Sequence, residues 1–146
     1  MTWIVTANSN QCRIYRFDKS VEELSLVKEV NHPINQLKTG DYLTSDKPGH
    51  YKTDSSTHGA YAPRTDPKEA EIDKFSREIA QELNQARNAH AYTKLILVTP
   101  PHFTGLLAHH LDKHVKALIK KEIQKDIMQL SQHELIAFLK DHLKPV

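Results

Sequence analysis

The first thirty residues contain three short runs of apolar positions, separated by polar breaks, that have the length and composition of β-strands. Residues 3–6 are β-branched and aromatic, and residues 12–17 alternate after the turn-forming cluster at 7–10. This arrangement predicts a β-hairpin. Another apolar run, at 24–30, follows a polar break at 18–20. The pattern therefore predicts an antiparallel meander of three strands.

A helical period replaces this alternation after residue 66. Asp66 is suited to the N-cap and Pro67 to the first helical position, and the apolar spacing of three and four residues continues to Asn88. Residues 95–98 are continuously apolar and are followed by two prolines. Such a run predicts a strand buried on both faces in the centre of a sheet. The apolar positions of the helix are Ile72, Phe75, Ile79, Ala80, Leu83 and Ala86.

The last third of the chain predicts short elements. Residues 103–111 and 115–119 have the pattern of short helices, whereas 122–128 fits either an edge strand or a continued helix. Ser131 and Glu134 have the spacing of a capping box that begins a final helix. Strands followed by alternating helices and strands predict an α/β fold, with a mixed sheet flanked by helices.

Periodicity is lost between residues 31 and 67, where Gly, Pro, Ser, Thr, Asp, His and Tyr dominate. A run of this length without secondary structure is uncommon inside a domain and is usually functional or disordered. We expect a single domain, residues 1–146, that contains a long flexible loop at 38–66.

Composition excludes several classes of protein. The chain has 146 residues, 38% apolar and 26% charged, with a formal net charge of +2, so wholesale disorder is excluded. Cys12 is the only cysteine, so an internal disulfide is impossible, and we expect a small buried thiol in a reducing compartment. The chain begins without a signal-peptide pattern and lacks an apolar run long enough to span a membrane, which predicts a cytoplasmic location.

Four runs of the sequence, in the same order, resemble the host-attachment protein family of bacteria. That family is related in fold to the middle domain of eukaryotic and archaeal peptide-release factors, in which a long loop before a helix carries Gly-Gly-Gln into the peptidyl-transferase centre. The resemblance implies that residues 38–66 correspond to that loop. Here the loop contains His58-Gly59-Ala60 and no Gly-Gly-Gln, so the resemblance implies the shape and ribosome or tRNA contact without release catalysis. The four runs are 2–5, 45–49, 61–67 and 98–107.

The loop interleaves cationic side chains with tyrosines, which is the combination that binds single-stranded nucleic acid. Four aspartates nearly balance these charges, so an ordinary polar loop is the alternative. Arg64 and Thr65 also precede the predicted helix, whose N-terminus favours an anion; an N-cap with a salt bridge is the alternative there. The candidate binding residues of the loop are Lys47, His50, Tyr51, Lys52, His58, Tyr61 and Arg64.

A second candidate surface lies in the basic run near the carboxyl end. On a continuous helix, Lys113, Lys116 and Lys120 would form one stripe that could contact RNA phosphates, although such a run is commonly just a solvated face. His110 and His114 would share a helical face with the spacing of zinc ligands. No glutamate follows the pattern of a zinc-binding helix, so solvated histidines are favoured and no metal is predicted.

No catalytic residue or cofactor is indicated, since the chain has no G-x-S-x-G motif and no carboxylate pair in an apolar setting. Pro100 and Pro101 follow the central strand, where ligands bind in many α/β folds. The leading hypothesis is a non-enzymatic binding module that contacts RNA or the ribosome. The alternatives are a protein-interaction factor that supports attachment to host cells, and a hydrolase with His50 or His58 as base.

Overall fold

The computed structural model describes residues 1–32 and 67–143. Its strands are β1 (Thr2–Ala7), β2 (Gln11–Phe17), β3 (Ser25–Asn31), β4 (Lys94–Val98) and β5 (Ile119–Ile123). Its helices are α1 (Pro67–Asn88), α2 (Pro101–His110), α3 (Lys113–Lys116) and α4 (Gln132–His142), with a 3₁₀ turn at Val21–Glu23. The strands form one mixed sheet in the order β3-β2-β1-β4-β5, which confirms the predicted fold class.

The predicted meander at the amino end is confirmed. Strands β1 and β2 pair antiparallel around the turn at residues 8–10, and β3 pairs antiparallel with β2. One feature was not predicted: Val27 is an extra residue in β3, because Ile14 pairs with Lys28 whereas Tyr15 pairs with Leu26. Such a bulge increases the local twist of an edge strand and hinders pairing with another chain.

Strand β4 is the central strand that the continuous apolar run predicted. It lies between β1 and β5 and is parallel to both. Leu95 and Leu97 face one hydrophobic core, and Ile96 and Val98 face the other. All four side chains are at most 5% exposed, which explains why this strand shows no alternation between apolar and polar residues.

The first face of the sheet is covered by α1, α2 and α3, which together enclose the larger core. Tyr92 stacks on Trp3 with ring centroids 5.0 Å apart, and its hydroxyl donates to the carbonyl of Leu83 at 2.8 Å. Cys12 is completely buried in this core, and burial raises the pKa of its thiol to about 12. The prediction of a small buried thiol is therefore confirmed.

The second face is covered by α4 and the 3₁₀ turn. The predicted capping box is present: the Ser131 hydroxyl accepts from the Glu134 amide at 3.1 Å, and the Glu134 carboxylate accepts from the Ser131 amide at 2.9 Å. Leu135 and Leu139 then project into the core, at 3% and 0% exposure. Helices on both faces complete a three-layered α/β arrangement.

Two boundaries differ from the sequence-based expectation. The helix expected at 115–119 is α3, which ends at Lys116, and Ile119 already belongs to β5. The run at 122–128 is a strand only as far as Ile123, so the continued-helix alternative was wrong. Parallel pairing with β4 decides this region, since hydrogen bonds run from Leu95 N to Leu118 O and from Thr99 N to Ile123 O. The predicted N-cap Asp66 and the loop 38–66 lie outside the described residues.

Candidate functional site

The carboxyl ends of four strands lie at the same end of the sheet. Strands β4 and β5 run parallel to β1, and β3 has the same direction because two successive antiparallel pairings relate it to β1. The turn at residues 8–10, His32, Pro100 and Asp126 therefore all lie at this end. The carboxyl ends of parallel strands are where α/β sheets most often bind ligands. We call it the carboxyl end of the sheet.

An open cavity of about 160 Å³ lies at the carboxyl end. It forms where the β1–β2 turn, the start of α2 and the segment after β5 meet. The direction of α2 is set by Thr104, whose hydroxyl donates to the Pro100 carbonyl at 2.9 Å and lies 2.5 Å from the Thr99 hydroxyl. The cavity is lined by Asn8, Ser9, Asn10, Pro100, His102, Phe103 and Asp126.

Asn8 organises the polar side of this cavity. Its side-chain oxygen accepts from the amides of Asn10 at 2.8 Å and Gln11 at 3.0 Å, which closes the β1–β2 turn. Its Nδ2 donates to both oxygens of Asp126, at 3.2 and 3.1 Å. The Met128 amide also donates to Asp126 Oδ1 at 3.1 Å. These bonds hold the carboxylate in one orientation and leave Oδ2 with more spare acceptor capacity than Oδ1.

Several polar groups at the cavity have no protein partner. Within residues 1–32 and 67–143, the side chains of Ser9, Asn10 and His102 make no hydrogen bond. Pro100 occupies the N-cap of α2 and offers no side-chain acceptor, so the first turn of this helix is uncapped. The site can therefore both donate to and accept from a small polar ligand. In the described part of the chain, no group of three acidic, histidine or cysteine side chains could hold a metal ion.

His32 and the start of α1, which flank residues 33–66 in the sequence, meet at this same end. The His32 amide donates to Asn10 O at 3.0 Å, which ties the last described residue before the segment to the cavity turn. The His32 ring lies 3.1 Å from Glu71 O and packs on Phe75 with centroids 5.0 Å apart, near the start of α1. The candidate residues Lys47, His50, Tyr51, Lys52, His58, Tyr61, Arg64 and Thr65 themselves lie outside the described residues.

The basic run near the carboxyl end is described in full, and the predicted helical stripe was wrong. Lys113 and Lys116 belong to α3, but Lys120 is an extra residue in the edge strand β5, between the pairs Leu95–Ile119 and Ile96–Lys121. These lysines and Lys125 are exposed, and within the described ranges none of them makes an ion pair. We call Lys113, Lys116, Lys120, Lys121 and Lys125 the lysine surface.

The histidines do not have the arrangement expected from a continuous helix. The chain is extended at Leu111, and Asp112 caps the next helix, so His110 and His114 do not share a helical face. His110 is also not simply solvated: its Nε2 lies 2.9 Å from Asp73 Oδ1, and this hydrogen bond lowers the pKa of the Asp73 carboxyl. The pair joins α1 to α2.

Sequence reasoning missed most of the cavity. Residues 8–10 were expected only to form a turn, and Asp126 was expected only as part of an edge strand or a continued helix. Pro100 was noted by analogy with other α/β folds. No local signal unites these residues, because they are more than 90 positions apart at the extremes and meet only through the parallel pairing of β1, β4 and β5.

Comparison with known families identifies the chain. A family model described as "Protein required for attachment to host cells" matches residues 3–139. The chain belongs to this family. A relative among curated proteins is the uncharacterized protein RP470 of Rickettsia prowazekii (strain Madrid E), 27% identical over 81 residues. That match covers 54% of this chain and spans 54% of the relative.

Solved structures share the fold of this chain. The archaeal translation termination factor aRF1 matches 97% of this chain with a TM-score of 0.50 and 10% identity, and a structure titled "Archaeal protein" matches 97% with a TM-score of 0.51 and 13% identity. The chain covers 38% and 33% of those longer chains, respectively. At such low identity the likeness shows the fold alone, which confirms the resemblance to a release-factor domain. None of the helices in the described ranges is both long and apolar enough to cross a membrane.

Proposed function

We propose that this chain is a non-enzymatic binding module that contacts RNA or the ribosome. Contact is made at the carboxyl end of the sheet, through residues 38–66, and along the lysine surface. In the loop, the contacts are assigned to Lys47, His50, Tyr51, Lys52, His58, Tyr61 and Arg64, and Arg64 and Thr65 hold an anion. Such a protein acts in the cytoplasm, where ribosomes are.

The lysine surface is the observation that carries this proposal. Between residues 113 and 125 the chain has five lysines and one glutamate. A cation paired with a carboxylate in its own chain gains less from a phosphate, whereas these ammonium groups have no such partner in the described part of the molecule. Counterion release from phosphates then favours binding. Lysines on an edge strand also prevent sheet-to-sheet pairing, and this structural role makes a direct binding test necessary.

The fold gives independent support. A solved protein with this fold is named as an archaeal translation termination factor, and His32 and the start of α1, which flank residues 33–66 in the sequence, meet at the carboxyl end of the sheet. The chemistry of the cavity supports binding rather than catalysis. In the described residues, no serine, threonine or cysteine is hydrogen-bonded to a histidine that a carboxylate orients.

The experiment is co-sedimentation with 70S ribosomes and with total RNA across a salt series. The test variant replaces Lys113, Lys116 and Lys120 by glutamine, which removes charge but keeps much of the aliphatic stem. We expect weaker binding and a salt dependence whose slope falls by about 2, since each phosphate contact to a single strand contributes about 0.7. A second variant replaces Lys47, Lys52 and Arg64 by alanine and tests the loop.

The matched control replaces Arg16, Lys19 and Lys94 by glutamine. These exposed residues lie outside the lysine surface, and the change in net charge is the same. If the control loses as much affinity as the test variant, binding depends on net charge alone and the proposed surface is wrong. If no RNA or ribosome binds at low salt, the proposal fails. Partner capture that survives nuclease treatment would instead favour the protein-interaction alternative.

A further inference from the structure

The cavity at the carboxyl end has the size and walls of a site for one planar ring. Pro100 and Phe103 form its apolar part. Its volume of about 160 Å³ is well below the roughly 300 Å³ at which pockets for drug-sized ligands begin. Apolar walls beside a few oriented polar groups are typical of small-molecule and base-binding sites.

The orientation of the Asp126 carboxylate determines which hydrogen-bonding groups a bound ring needs. Oδ1 already accepts from the amide of Met128 and from Asn8, whereas Oδ2 accepts only from Asn8. Oδ2 therefore has the capacity to accept from an N–H donor of a ligand. The side-chain amide of Asn10 and the hydroxyl of Ser9 also line the cavity without partners in the described residues, and they offer a second acceptor and donors.

Among RNA bases, guanine matches this set. Its Watson–Crick edge presents two neighbouring donors, N1–H and N2–H, beside the carbonyl acceptor O6. On that edge adenine presents one donor and one acceptor, cytosine presents one donor and two acceptors, and uracil presents one donor between two acceptors. We propose that the cavity binds the guanine ring of a single RNA strand, with Asp126 Oδ2 accepting from its Watson–Crick edge. This inference rests on the proposed function and adds a base preference to it.

Three residues of the lysine surface closely precede Asp126 of this cavity along the chain. Lys120 and Lys121 lie on β5, which runs towards the carboxyl end of the sheet, and Lys125 immediately precedes Asp126. Asp126 is six positions after Lys120, so the two lie at most about 20 Å apart along an extended chain. A strand whose phosphates contact these lysines can therefore place one base in the cavity.

The test uses hexauridylate RNA that carries one guanosine, inosine or adenosine at a central position. Anisotropy titrations measure each affinity for the wild type and for Asp126→Asn. The asparagine oxygen is expected to keep the hydrogen bond to Met128 N, which places its NH₂ group where Oδ2 was. Because NH₂ then faces the donors of guanine, we expect the variant to lose the preference. For the wild type we expect guanosine to bind at least about fivefold more tightly than adenosine, since a well-placed pair of base hydrogen bonds discriminates by that much or more.

Inosine supplies a test that needs no variant, because it differs from guanosine only in lacking the 2-amino group. It should bind more weakly than guanosine. Asp18→Asn is the matched control, since it removes one exposed carboxylate beyond the end of β2, away from the cavity, and it should keep the preference. Equal binding of the three oligonucleotides, or a guanosine preference that persists in Asp126→Asn, would overturn the inference. Salt-dependent binding through the lysine surface would survive that result.

If no oligonucleotide binds at all, the proposed function fails. A second experiment still tests whether the cavity binds guanine. Guanosine 5′-monophosphate is titrated into the labelled protein, and the amide NMR signals of Asn10, His102 and Phe103 are followed. Shifts in the wild type that are absent in Asp126→Asn would assign the cavity to the guanine ring of a free nucleotide. No shift would overturn guanine binding altogether.

Discussion

Replacing Asn8 by aspartate tests the geometry of the cavity directly, because it exchanges the side-chain NH₂ group for a carboxylate oxygen at the same place. In the native chain, Asn8 Nδ2 donates to Asp126 Oδ2 at 3.1 Å. In Asn8→Asp, the oxygen that closes the turn is retained, so the amides of Asn10 and Gln11 keep their acceptor. The former donor becomes a carboxylate oxygen that faces a second carboxylate.

The expected loss of stability follows from the distance between the side-chain atoms of residues 8 and 126. Two unit charges 3.1 Å apart repel by about 1.3 kcal/mol in water and by about 5 kcal/mol at an effective dielectric constant of 20. Asp126 is exposed and Asn8 is half-buried, so the lower end applies. With the lost hydrogen bond added, we expect the free energy of unfolding at pH 7 to fall by about 2 kcal/mol, measured by urea denaturation.

The effect has a defined pH dependence. Repulsion raises the folded-state pKa of one of the two carboxyls in the variant above its unfolded value of about 3.9. The destabilisation is therefore complete at pH 7 and decreases as the pH falls through the raised folded value towards the unfolded one. The stability difference between wild type and variant should be smaller at pH 4 than at pH 7.

The double variant Asn8→Asp with Asp126→Asn provides the decisive comparison. In this double variant the amide of residue 126 donates to the carboxylate of residue 8, which reverses the native hydrogen bond. The double variant should therefore be more stable, by at least about 1 kcal/mol, than the sum of the two single effects predicts. Strict additivity of the two single effects, or an Asn8→Asp variant as stable as the wild type at pH 7, would refute the hydrogen-bonded pair.

Three further predictions follow from individual contacts. Asp73→Asn removes the negative charge that pairs with His110 and Arg77, although the asparagine oxygen can still accept a hydrogen bond. The stabilisation of about 0.5 kcal/mol expected for such a partly exposed pair is present above the ordinary carboxyl pKa and is lost as the pH falls through the lowered pKa of Asp73. Equal thermal stability of the variant and the wild type at pH 7 would contradict this expectation. The Cys12 thiol, whose pKa is about 12, should resist a thiol reagent at pH 8 in the native protein and react fully in urea; rapid native labelling would show an open core. Ser131→Ala removes the acceptor of the Glu134 amide and should cost about 1 kcal/mol in urea denaturation, whereas Ser131→Thr should retain most of the stability.

The sequence determined the elements whose signals are local. β-Branched and aromatic residues revealed β1, alternation revealed β2, a continuous apolar run revealed β4, and the spacing of apolar residues revealed α1. The capping box at Ser131 identified the start of α4 because both of its residues lie within one helical turn. These signals were sufficient because an element with one or two buried faces has apolar residues at regular spacings within a short stretch of sequence.

Tertiary structure alone decided the rest. Lys120 became part of a strand because β5 pairs with β4, although its neighbours also fit a helix. Asp73 and His110 meet because α1 packs beside α2. Asn8 and Asp126 meet because β1, β4 and β5 run in the same direction and end together. Strand order and direction depend on contacts between distant residues, and no window of the sequence contains both partners.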